Sequence, residues 1–137
     1  MTVFRIREAA RLLSVSDDTV RRWIDSGQLA SERDDSGRRV VSGTDLAAHL
    51  VRSRGGHGDP LARASSARNR FVGIVTEVVS DTVMSQVEMQ CGPHRVVSLM
   101  STEAVRELGL EVGSLATAMV KATTVIVETP PAPEAAR

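Results

Sequence analysis

The sequence predicts a two-domain α+β protein: a small helical unit carrying a β-hairpin, followed by a five-stranded β-barrel. Three observations predict it. Apolar residues recur at helical spacing through most of the first fifty positions and alternate at strand spacing after residue 70. Between these regions, residues 53–65 (SRGGHGDPLARAS) hold three glycines, a proline and small polar residues without an apolar period, which is a linker composition. Charge divides at the same place, with thirteen arginines against nine acids in residues 1–70 and four basic residues against eight acids in 71–137. A basic front half can meet phosphates, whereas an acidic back half cannot do so by charge alone. The expected boundaries are 1–53 for the first domain, 54–65 for the linker, 66–128 for the second domain and 129–137 for a disordered tail, TPPAPEAAR, with its three prolines.

In the front half, Ile6, Ala9, Ala10 and Leu13 lie on one face of a first helix. Ser14 and Val15 interrupt it. Ser16 is then an N-cap for a second helix over 16–26, with Asp17 and Asp18 in the first turn, where the helix dipole favours negative charge. Val20, Trp23 and Ile24 form its buried face, Gly27 ends it, and Arg21 and Arg22 point away from the apolar side. Residues 29–41 read as two short strands around the turn Asp35-Ser36-Gly37. Ser42 or Thr44 caps a third helix with Leu46, Ala47, Leu50 and Val51 inward.

Helix, turn, helix, hairpin, helix is a winged helix-turn-helix layout. Residues 3–52 resemble the excisionase-like and MerR-like winged helix-turn-helix family. The resemblance rests on the alanine-rich first helix, the Val-Ser-x-x-Thr-Val-x-x-Trp second helix, the Gly-x-Leu exit, a Gly-Arg-Arg wing and a closing Asp-Leu helix. It implies that helix 16–26 enters the major groove of duplex DNA while the wing follows the backbone or the minor groove. The expected DNA contacts are Ser16, Thr19, Arg21, Arg22, Arg38 and Arg39. Each has an ordinary structural use as well: Ser16 and Thr19 stabilise a first helical turn, and exposed arginines are the default on a helix face or at a hairpin tip.

In the back half, residues 71–80 are a valine-rich strand. Residues 83–91 alternate, with Val83, Ser85, Val87, Met89 and Cys91 on one face. Asp81-Thr82 and Gly92-Pro93-His94 make turns, and Arg95–Met100 is a third strand. A short helix starts at Ser101-Thr102-Glu103 and closes at Leu108-Gly109. Leu115–Lys121 and Thr124–Glu128 complete five strands. That is the order of a small OB-like barrel.

No metal-ligand cluster, phosphate loop or nucleophile–base pair accompanies these elements, so the chain reads as a non-enzyme. His49, His57 and His94 read as solvated, and Cys91 as core. Three aromatics, Phe4, Trp23 and Phe71, are too few for base stacking to be a main binding mode. A single cysteine, no signal-peptide stretch and no apolar run of roughly 18 residues lead us to expect a cytoplasmic protein.

Residues 65–128 resemble the TOBE/Mop domain, the molybdate-binding module of molbindins and of molybdate-responsive regulators. The resemblance lies in Ser66-Ala67-Arg68-Asn69 before the first strand, in RELGLEVGS (106–114) and in MVKATTVIVE (119–128). It implies a tetrahedral oxyanion ligand, molybdate or tungstate, with no organic cofactor and no direct protein–metal ligands. The implied site residues are Ser66, Ala67, Arg68, Asn69, Ser101, Lys121 and Ala122. A dianion is held by charge and hydrogen-bond donors, which Arg68, Lys121, Ser66, Asn69 and Ser101 supply. Ser101 also opens the short helix, whose free N–H groups favour anions. Lys121, the only lysine, lies on an expected apolar strand, where a gatekeeper charge is its alternative use. Family members often carry Ser or Thr directly after this lysine; here Ala122 leaves only its backbone N–H. Family sites form between subunits, which implies a homo-oligomer, dimer or hexamer. The combined expectation is a molybdate-responsive, DNA-binding transcriptional regulator. The alternative is a molbindin-like molybdate or tungstate storage protein without regulatory DNA binding.

Overall fold

The computed structural model describes residues 2–53 and 65–131, which fall into two compact units. Residues 54–64 of the expected linker, His57 among them, and residues 132–137 of the expected tail lie outside the described residues.

The first unit runs β1 (Val3–Arg5), α1 (Ile6–Leu13), α2 (Asp17–Asp25), β2 (Glu32–Arg33), β3 (Arg39–Ser42) and α3 (Gly43–Arg52). Its three strands form an antiparallel sheet in the order β1-β3-β2, with Phe4 opposite Val41 and Arg33 opposite Arg39. The core is Ala9, Ala10, Val20, Leu29, Val41 and Leu46, with Phe4, Ile6, Leu13, Val15, Trp23 and Ile24 packed around it. Two adjacent alanines let α1 lie close against α2 without a bulky side chain between the helices. Ser14 takes the left-handed conformation (φ 56°) at the end of α1, and its N–H donates to the Ala10 and Arg11 carbonyls. Two residues later Ser16 caps α2, its hydroxyl accepting from the Thr19 N–H at 3.1 Å. This closes the tight turn between the helices.

The sequence expectations need three corrections here. The chain opens with a strand, β1, whose three residues are too few to show a period and which exists by pairing with β3. On α3 the inward positions are Leu46 and His49, whereas Ala47, Leu50 and Val51 are exposed. His49 is therefore core rather than solvated, at 4% exposure. It lies 4.5 Å from the Trp23 ring, and its Nδ1 lies 3.3 Å from the Gln28 carbonyl. Trp23 is half-buried against the core.

The second unit runs β4 (Asn69–Ser80), β5 (Met84–Cys91), β6 (His94–Ser101), α4 (Thr102–Leu108) and β7 (Leu115–Val120), then a 3-10 turn over Ala122–Thr124. The strands form one antiparallel sheet in the order β6-β5-β4-β7. The long β4 serves both neighbours: residues 69–74 pair with β7 and 74–80 with β5, with a slip between Val75 and Glu77. The sheet curls at this junction because Gly73 has no side chain. A Cβ there would strike the Gln90 carbonyl and sit 2.7 Å from the Cys91 Sγ. Val75, Val87, Met89, Cys91 and Val105 form the core on the concave side. The alternation expected for β5 holds for Ser85, Val87, Met89 and Cys91, all buried, but not for Val83, which lies in the turn before the strand and is 68% exposed.

The five-stranded barrel is not completed in this chain; the described residues form a four-stranded half-barrel. The expected last strand, Thr124–Glu128, is unpaired. After Val120 the Lys121 carbonyl accepts both the N–H and the hydroxyl of Thr124, at 3.0 and 2.9 Å, and the turn takes the chain out of the sheet. Ile126 and Val127 are left 85% and 84% exposed.

Candidate DNA-binding and oxyanion sites

In the first unit, the residues expected to meet DNA lie on α2 and the hairpin. The Ser16 hydroxyl is occupied by its cap and shares a 2.9 Å hydrogen bond with Thr19, whose hydroxyl also accepts from Arg22 at 3.3 Å. Arg21 pairs with Asp18 at 3.2 Å, with both side chains exposed. Such a surface pair is worth about 0–1 kcal/mol, so Arg21 can be redirected to a phosphate at little cost. In the wing, Asp34 closes the turn by accepting from the N–H groups of Ser36 and Arg38, at 2.9 and 2.8 Å, and Gly37 supplies the positive φ (76°). Arg38 stands exposed at this tip. Arg39 instead reaches Asp25 at 3.4 Å, tying the wing strand to the end of α2. This exposed pair brings the hairpin and the end of α2 together but, like the Arg21–Asp18 pair, holds them only weakly. A second tie went unnoticed in the sequence: His49 and Arg52 of α3 both approach the Gln28 carbonyl, Arg52 donating at 3.0 Å.

In the second unit, the expected anion-site residues separate into two groups. Asn69 begins β4 directly opposite Val120 and donates to its carbonyl at 3.1 Å. Ser66, Ala67, Arg68 and Asn69 are thereby set beside Lys121 and Ala122, which follow Val120. Arg68 is exposed and its guanidinium donates to the Ser66 carbonyl at 3.3 Å. Lys121 is exposed as the N-cap residue before the 3-10 turn, just beyond β7 rather than on it, so the gatekeeper role does not apply. Ser101 lies elsewhere. It ends β6 opposite Met84, and β5 begins beside Ser80 at the far end of β4. Eleven steps along β4 separate the two groups, a contour of roughly 35 Å before curling. A single unit does not gather all seven residues.

Ser101 is also the N-cap of α4, accepting from the Ala104 N–H at 3.1 Å, while the Thr102 N–H is taken by the Val83 carbonyl. What Ser101 offers an anion is therefore its hydroxyl proton more than a free helix end. The polar chain beneath it was not foreseen. Ser80, Ser85 and Thr102 share hydroxyl hydrogen bonds of 2.6 and 2.8 Å, and Thr102 donates on to the Asp81 carbonyl at 2.8 Å. Ser85, fully buried, was the visible signal: one hydroxyl within an otherwise apolar alternating face. This network fixes α4, and with it Ser101, to the β4–β5 turn. In that turn, N–H bonds from Met84 and then Val83 hold the Asp81 carboxyl below its ordinary value of 3.8. Among the described residues no three His, Cys, Asp or Glu side chains cluster to hold a metal ion, and no helix is long and apolar enough to cross a membrane.

A helix-turn-helix unit with a hairpin wing, followed by a small β-unit with exposed cationic and hydroxyl donors, defines a two-module binding protein. The chain belongs to the TOBE domain family: residues 65–127 match the TOBE domain and residues 3–53 match a helix-turn-helix domain. A probable molybdenum-pterin-binding protein of Haemophilus influenzae is 43% identical over 63 residues, covering 45% of this chain and 91% of its own. The molybdenum transport protein ModE of Herbaspirillum seropedicae is 33% identical over 70 residues, covering 50% of this chain. The chain spans about a quarter (26%) of that relative's length. A solved molybdate-binding protein from Sporomusa ovata is 33% identical and aligns over all of its own chain and 49% of this one, with a TM-score of 0.47.

Proposed function

We propose that the chain is a molybdate-responsive transcriptional regulator that works in the cytoplasm as a homo-oligomer. The front unit binds duplex DNA through Ser16, Thr19, Arg21, Arg22, Arg38 and Arg39, and the back unit binds the oxyanion. The observation that carries this reading is the separation of the donor set within one chain. Ser66 to Asn69, Lys121 and Ala122 share one end of the sheet, and Ser101 marks the other. Two copies placed end to end bring these groups together, so that ion and oligomer depend on one another. A dianion between copies offsets the repulsion of Arg68 and Lys121, and binding tightens the assembly by mass action. A tightened assembly resets the spacing of paired recognition helices against DNA half-sites, which gives the ion a route to transcription.

Titration calorimetry with molybdate, tungstate and sulfate, paired with selection from random duplexes at low salt, tests the reading. We expect saturable molybdate binding, no sulfate response at the same concentration, and an enriched duplex site. Absence of molybdate binding would remove the sensor function, and absence of any enriched site would remove the regulator. A second reading is favoured by one observation: residues 65–127 alone match nearly the whole of the small Haemophilus relative. Ion storage would then be the activity, and molybdate binding without duplex binding would select it.

A further inference from the structure

The outer face of α2 carries more than the arginines expected to meet DNA. Asp18, Arg21, Arg22 and Asp25 recur at i, i+3, i+4 and i+7 and are all exposed, opposite the side on which Val20, Trp23 and Ile24 meet the core. The two arginines suit a partner rich in phosphate, whereas the two acids repel one. Asp25, at the C-terminal end, pairs with Arg39 of the wing at 3.4 Å. Asp18 stands in the first turn with its side chain 91% exposed, and its carboxylate accepts from Arg21 at 3.2 Å. Helix stability does not account for this acid. Ser16 supplies the cap by taking the Thr19 N–H, and Asp17 already places a negative charge in the first turn. An exposed ion pair adds little to either.

We propose that Asp18 determines sequence specificity, and that Asp18 and Arg21 together read two adjoining base pairs in the major groove, Asp18 a cytosine and Arg21 a guanine. In a helix-turn-helix the N-terminal residues of the second helix reach the base edges, and Asp18 is the exposed residue of that first turn, 17–20. A carboxylate only accepts hydrogen bonds, so it needs a donor on the groove floor. Guanine presents acceptors there, thymine an acceptor and a methyl group, and adenine sets its N7 acceptor beside its amino group. Cytosine N4 is the donor without an acceptor on the same base edge to repel the second carboxylate oxygen. The Arg21 guanidinium has donors to spare: it keeps the bond to Asp18 while two others fork onto guanine O6 and N7. Three residues advance a helix by roughly 4.5 Å, close to the roughly 3.4 Å of one base step, which sets the two contacts on neighbouring pairs. Because Asp18 repels the backbone of every duplex, only a site with the matching donor recovers the loss, and selectivity comes from penalising the alternatives. The inference deepens the duplex-binding function proposed above and rests on it.

The test is selection from random duplexes with the full chain and its Asp18→Asn, Asp18→Ala and Asp25→Asn variants, followed by affinities at fixed salt for the selected duplex and its single-base changes. The wild type should prefer cytosine at one position by roughly 5- to 150-fold, with guanine at the adjoining one. Asp18→Asn keeps the size of the side chain and gains a donor, so that one preference should move toward adenine while the guanine stays. Asp18→Ala should flatten the preference and bind unrelated duplexes more tightly than the wild type does. Asp25→Asn removes the same charge from the other end of the helix and should tighten binding to all duplexes with base preference unchanged. An enriched site with identical base preferences in the wild type and both Asp18 variants would overturn the assignment while leaving duplex binding intact. Loss of affinity by the same factor for every duplex in those variants would do so too, since it would give Asp18 a structural role alone. A wild type that enriches no site would overturn the duplex-binding function itself, and this inference with it.

Discussion

Replacing Gly73 by alanine tests the account of how the half-barrel curls. The added Cβ would strike the Gln90 carbonyl and sit 2.7 Å from the Cys91 Sγ. The first obstacle is backbone in a paired strand, so no side chain can swing aside; β4 and β5 must part. Overpacking of this kind costs about 1–3 kcal/mol, and a backbone obstacle belongs near the upper end. Alanine restricts the unfolded chain and returns about 0.4–1 kcal/mol. The clash wins, leaving a net loss of roughly 2 kcal/mol, which in a unit of this size lowers its melting midpoint by roughly 8–16 °C. Thermal melts at fixed protein concentration measure this by circular dichroism, while fluorescence of the single tryptophan, Trp23, reports the front unit alone. Burial pushes the Cys91 thiol above its ordinary value of 9.0, so in the wild type it should resist alkylation at pH 8 and become reactive in the variant. An unchanged barrel transition with an unreactive thiol would refute the reasoning.

Three further outcomes are expected. Trp23→Ala should destabilise the front unit by about 2–3 kcal/mol, less than the roughly 3–5 of a fully buried aromatic, because the ring is half-exposed and its main partner is His49; duplex binding should fall while the barrel melts as before. Arg68→Ala and Lys121→Ala should each weaken molybdate binding at least tenfold in calorimetry, since the remaining charge must hold a desolvated dianion alone; unchanged affinity would remove these residues from the site. Asp81 is held ionised in the folded state, so its contribution is present above about pH 4 and is lost as pH falls through its lowered value. Asp81→Ala should therefore flatten the acid limb of the barrel's stability profile, and an identical limb in urea titrations at pH 3 to 5 would contradict the assignment.

Much of this architecture was legible because its signals are local. Ser16 and Ser101 cap the helices that their positions suggested, each accepting from an N–H three residues on. Gly109 closes α4 with a positive φ, and the alternation of β5 names its buried face. Features settled by distant partners were not legible. The strand β1 has three residues and exists through Val41. His49 is polar, and no local pattern says that the Gln28 carbonyl will meet it inside the unit. The sequence offered donors for an anion site as an expectation, but where they lie relative to one another depends on the register of β4 against β5 and β7, which spacing along the chain does not carry.

The fifth strand is where local signals and pairing part company. Thr124–Glu128 has the composition of a strand, and β-propensity describes a side chain that fits a pleated, half-buried surface. It does not say whose surface. A short strand gains little until another strand supplies ladder bonds and an apolar face, and among the described residues both edges, β6 and β7, lack a neighbouring strand while the segment stands apart from them. Val125, Ile126 and Val127 therefore carry the sequence signal of a strand and stay exposed, because no described strand pairs with them. The same argument applies to the anion donors, which share a chain but occupy opposite ends of its sheet. In both cases the composition is a local signal, whereas the placement is set by strand pairing, which spacing along the chain does not carry.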